Sequence, residues 1–145
     1  MKNVLTKNFH IIERLKSRKT RLFIMATWRP DRDIYIIGAS IGLLCCKSDL
    51  YEIYLCISRS PRLTPKKFFV GLKKDYLFYG QRDVYTYSTG LRDLVDYIFL
   101  PEGCGFLIKK NTPLYIKVGA WNGSNEDLEY DAFCNIYYVL SDENR

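Results

Sequence analysis

Histidine is nearly absent from this chain: among 145 residues there is one, His10. A Ser-His-Asp or Cys-His catalytic arrangement within the body of the protein is therefore excluded. The five cysteines form no C-x-x-C pair, so zinc sites of Cys/His type lack their ligands. The odd count and the vicinal Cys45-Cys46 pair argue against a secreted-type disulfide framework, although a single Cys56–Cys134 bridge stays open. Apart from these, the thiols read as small core hydrophobes in a reducing compartment. No apolar run approaches the roughly 18 residues that a membrane-spanning helix needs, and residues 11–24 offer no continuous apolar stretch for a secretory signal. There is no G-x-G-x-x-G and no P-loop. Carboxylates cluster only at Asp93 with Asp96 and across Glu126–Asp131, both beside turn residues, where a solvated loop is the simpler reading. No catalytic residue, metal ligand or cofactor is assigned. The chain reads as a non-enzyme.

What is present is a core. The chain is 48% hydrophobic and 15% aromatic, with 12 Tyr and 8 Phe, enough for one ordinary domain. Its formal net charge is +6, and all of that excess lies in residues 1–24, where seven bases stand against the single acid Glu13. Residues 25–145 are neutral. The division predicts a basic arm over 1–24 and a body over 25–145 that folds without it. In the arm, Leu5, Phe9 and Ile12 follow i, i+4, i+7 spacing, with Leu15 on the same arc, which predicts a short amphipathic helix. Its apolar side would dock on a neighbouring subunit. Its bases Arg14, Lys16, Arg18, Lys19 and Arg21 offer a second use, contact with nucleic acid.

From Asp33 onward the period changes to two. Tyr51, Ile53, Leu55 and Ile57 share one face, and so do Leu114, Ile116, Val118 and Ala120. Tyr130 to Leu140 repeats the pattern in a long last strand. Further strands are expected at Ile34–Leu44, Lys67–Leu72, Asp75–Tyr79, Val84–Tyr87, Tyr97–Leu100 and Gly105–Lys109, with a short helix over Ser88–Tyr97. Gly38 and Gly42 inside a strand predict a bulge or a close backbone approach. Eight or nine short strands between turns, without βαβ rhythm, predict an all-β antiparallel sandwich of jelly-roll type. Alternation also turns Tyr115 and Tyr137 outward, with Trp121 closing its strand. Together they make a subunit interface or a sugar-stacking platform. Asn122-Gly123-Ser124 matches the N-glycosylation pattern.

The stretch Ile98-Phe99-Leu100-Pro101-Glu102-Gly103, then Phe106 to Ile116, then an Asn/Ser loop and a long final strand, resembles the closing strands of single jelly-roll virion proteins. Arg32 to Gly38 is similar to their first body strand after a basic arm. The resemblance implies a structural protein of a virus particle: a capsid, vertex (penton) or minor capsid component located in the virion. Its partners would be copies of itself and other virion proteins. The alternative is a carbohydrate- or receptor-binding sandwich module.

Overall fold

The computed structural model describes residues 3–45, 52–63, 76–83 and 94–141. Nine strands follow in order: β1 (Leu5–Leu15), β2 (Thr20–Trp28), β3 (Ile34–Cys45), β4 (Glu52–Ser58), β5 (Tyr76–Asp83), β6 (Leu94–Phe99), β7 (Phe106–Ile108), β8 (Leu114–Trp121) and β9 (Leu128–Leu140). The pairs are nested like a folded ribbon. β4 meets β5 innermost, then β3 meets β6, β2 meets β8, and β1 meets β9 outermost, all antiparallel. Rolling that ribbon brings β9 beside β3 and β8 beside β4. Two sheets result, ordered β1-β9-β3-β6 and β2-β8-β4-β5, with the short β7 extending the first beside β3. This is the strand order of a jelly roll, as the strand pattern predicts.

The core lies between the sheets. Ile34, Ile36, Ala39, Ile41 and Leu43 face inward from β3, and Leu114, Ile116, Val118 and Ala120 answer from β8. These β-branched and aliphatic side chains sit at every second position, which is why the segments settle as strands with one dry face. Trp28 closes the seam at one end, with ring centroids 6.4 Å from Phe9 and 5.2 Å from Tyr138.

The helical arm is corrected. Residues 5–15 pair along their whole length with β9, and β2 pairs with β8 across the proposed boundary at residue 24. Leu5, Phe9, Ile11 and Leu15 also occupy alternate positions, so the segment carries both periods. The open flank of β9 decides between them, because a helix would leave that flank unpaired. Ile12 discriminates: helical spacing places it with Leu5 and Phe9, whereas here it points outward and is 61% exposed. The helix expected over Ser88–Tyr97 does not reach its end, since Leu94–Phe99 is β6. The strands expected at Lys67–Leu72 and Val84–Tyr87 lie outside the described residues. The two glycines of β3 fulfil both expectations. The register shifts between Ile36 and Gly38, and the Phe99 and Phe133 rings occupy the space a side chain would take at Gly38 and Gly42. The bulge leaves the Ile37 carbonyl free to accept from the Leu100 amide at 2.9 Å.

Candidate functional site

The residues expected to form a docking arm are distributed inside and outside the sandwich. Leu15 is buried in the core and Phe9 packs against it, so neither is available to a neighbour. Leu5 and Ile12 are exposed, the first beside a cavity of about 230 Å³ that it lines with Trp28, Ile34 and Tyr138. The basic residues cluster at the β1–β2 turn, which is tied to the β8–β9 loop. The Ser17 amide donates to Asp127 Oδ1 at 2.9 Å, and Ser17 Oγ to the Ser124 carbonyl at 2.9 Å. Arg18 Nη2 donates to Asn125 Oδ1 at 3.0 Å. Asn122 anchors the knot: its Nδ2 donates to the carbonyls of Leu15 (3.1 Å) and Glu126 (2.7 Å), and its Oδ1 accepts from the Ser124 amide. Asn122 is fully buried, so its side chain serves the fold and is no glycan acceptor.

The electrostatics of this corner differ from what the linear charge pattern implies. Arg14, Lys16, Arg18, Lys19 and Arg21 gather here. So do Glu126, Asp127, Glu129 and Asp131, with Glu13 3.4 Å from Arg21. Arg14 lies directly across the ladder from Glu129, and His10 Nε2 is 3.0 Å from Asp131 Oδ1. Five bases meet five acids. Four of those acids come from a segment more than a hundred residues away in sequence, so acidic and basic side chains share one corner. Among the described residues no three His, Cys, Asp or Glu side chains converge on a metal-sized site.

The three outward aromatics do not form one platform. Tyr115 and Trp121 belong to β8 and Tyr137 to β9, in different sheets. Around Tyr137 the outer face of the first sheet builds a larger feature. One row across the strands is Thr6, Tyr137, Gly38 and Phe99; the next is Asn8, Asn135, Ser40 and Tyr97. Phe99 stacks on Tyr137 at 5.2 Å and 24°. Asn135 Nδ2 donates to Ser40 Oγ at 2.9 Å, and Ser40 Oγ lies 3.0 Å from the Tyr137 hydroxyl. Tyr97 is 69% and Phe99 59% exposed. Sequence reasoning placed both on a strand without marking them. The signal was present, because period-two alternation puts Tyr97 and Phe99 on one face, and Gly38 and Gly42 call for rings to lie over them.

The remaining thiols divide. Cys134 faces the core between the sheets, Cys104 is exposed, and all three described thiols are free. Cys56 pairs with Lys117 and therefore lies on the outer side of the second sheet, yet it is buried. Burial pushes its thiol up to about 12.

Fold and strand order define a class, the jelly-roll β-sandwich. No family model matches the chain, and no curated protein matches it. Among solved structures it is similar to the decameric BFDV capsid protein, with TM-score 0.45 and 8% identity over 95% of this chain and 98% of that one. It is also similar to the acid-stable capsid of the Helicobacter pylori bacteriophage KHP30, with TM-score 0.44 and 8% identity over 97% and 94%. A third is Desmodium yellow mottle tymovirus, with TM-score 0.37 and 8% identity over 97% and 90%.

Proposed function

We propose that the protein is a non-enzymatic structural component of a virus particle, a jelly roll that assembles with copies of itself in the virion. The observation that carries this reading is the outer face of the first sheet. Aromatic rings that would suit an interior stand in solvent there, and surfaces of that kind mark contacts with other macromolecules. In this reading the first strand contributes to assembly through what it exposes, Ile12 and Leu5, and not as a detached arm. The acids that share the β1–β2 corner with its bases weigh against nucleic acid as the main partner there, since they repel the phosphates that the bases would attract.

The test is sedimentation velocity and electron microscopy of the purified full chain. Dimers or larger closed assemblies are expected. A monomer at all concentrations overturns the reading.

A further inference from the structure

We propose that the outer face of the β1-β9-β3-β6 sheet is where a second copy of this chain docks, the same face against the same face. The inference rests on the assembly reading above and specifies its surface.

Three observations select this occupant. The first is size. Four strands at about 4.8 Å spacing, with lengths of 6 to 13 residues at about 3.4 Å each, present roughly 600–700 Å² before side-chain relief is added. A stable protein contact buries about 800 Å² per partner.

The second is the distribution of charge. The middle rows hold rings, amides and hydroxyls, whereas the ionised groups Arg14, Glu129 and Asp131 collect at one end with His10. A charge-depleted aromatic centre with a charged margin is the composition of a protein interface.

The third is the condition of the polar groups. Asn135 donates to Ser40, and Ser40 is bonded to the Tyr137 hydroxyl. At the centre of the face these three groups answer one another, so an apolar surface can cover them at little cost, while Thr6 and Asn8 stand at the β1 edge. A sugar platform requires the reverse, amides and hydroxyls aimed outward and unengaged. Shape agrees as well. The Phe99 and Phe133 rings lie in the slots left by Gly38 and Gly42, which keeps the face flat enough for two sheets to stack about 10 Å apart. A flat patch that meets its own copy makes a closed two-fold contact.

The experiment compares the full chain with the double variant Tyr97→Lys/Phe99→Lys by sedimentation equilibrium, with thermal melting as the check on folding. Both positions are exposed and only the Phe99–Tyr137 stack is lost, so the melt should stay cooperative and fall by no more than a few degrees while self-association weakens by at least about tenfold. Ile12→Lys, on the other edge strand of the same face and beside the charged margin, supplies an independent variant expected to weaken association by a smaller factor. Tyr115→Lys, on the opposite sheet, should leave association intact. If both face variants assemble like the parent, this assignment is overturned and the assembly reading survives. If the parent itself is monomeric at every concentration, both fall. A monomeric parent that binds a glycan array through Tyr97 and Phe99 overturns the assignment in favour of a sugar.

Discussion

The two sheets of this sandwich turn similar strands to the core, yet their outer sides differ. On the second sheet Lys117 points away from the core and is still only 3% exposed. The chain leaving β4 folds over it: Lys117 Nζ donates to Ser58 Oγ at 3.3 Å and to the Arg62 carbonyl. Cys56, directly across the ladder from Lys117, is fully buried as well. On the first sheet the rings of Tyr97 and Phe99 stand in solvent. Strand alternation therefore decides which side chains leave the core. Whether those side chains then meet water, their own chain or another molecule depends on where the loops go next. One face is finished by the chain itself, and on the other the rings of Tyr97 and Phe99 stay open.

The largest expected effect comes from removing residues 1–24. That deletes β1 and half of β2, uncovers a flank of β9 and opens the core around Leu15. The remainder should lose its cooperative thermal transition, and a sharp melt of residues 25–145 would show that β1 is dispensable to both sheets. Next is Lys117→Ala, which removes a packed stem and leaves buried oxygens without their donor. A loss of about 2–4 kcal/mol in denaturant unfolding is expected, together with faster thiol labelling of Cys56. An unchanged labelling rate would mean that the cover does not depend on the lysine.

The pH dependence follows from the same enclosure. Burial raises the Cys56 thiol from its ordinary 9.0 to about 12, and raises Cys134 likewise. Thiols released by unfolding ionise near pH 9 while the folded ones stay protonated. This contribution is whole below pH 9 and falls between pH 9 and about 12. Melting midpoints measured across that window should decline, and Cys56→Ala should flatten the decline. On the open face, Gly42→Ala forces the tip of the Phe133 ring to lift, at about 1 kcal/mol by chemical denaturation. The smallest effect is Tyr97→Ser, which should change the stability of the isolated chain by no more than about 0.5 kcal/mol. A larger loss would show that Tyr97 is a packing residue and that the open face is not open.

From Ile34 onward most of the fold was legible, because alternation and turn residues agree: β3, β8 and β9 lie where the pattern puts them. Pro101-Glu102-Gly103 closes through the Cys104 amide on the Pro101 carbonyl, with Gly103 at φ +82°. The first 24 residues misled for two physical reasons. Residues 5–15 satisfy both a 3.6 and a 2.0 period, and only a partner strand at the far end of the chain resolves the choice. Charge lies apart along the sequence, whereas Arg14 and Glu129 face each other across the ladder in space. The candidate site was half legible. Tyr137 emerged from alternation, but its partnership with Phe99 and Tyr97 depends on strand order, which no local pattern encodes.

The nested pairing also sets a timetable for a nascent chain. His10 leaves the ribosome first and must wait for Asp131, 121 residues behind it, or roughly 6–24 s at about 5–20 residues per second. During that interval Phe9, Ile11 and Leu15 are apolar and without a sheet, in a segment dense with lysine and arginine. Those bases keep the emerging strand soluble until β9 arrives. The positive charge of the first strand and its turn thus acts as a gatekeeper of synthesis until Glu129 and Asp131 of the last strand come to lie beside it.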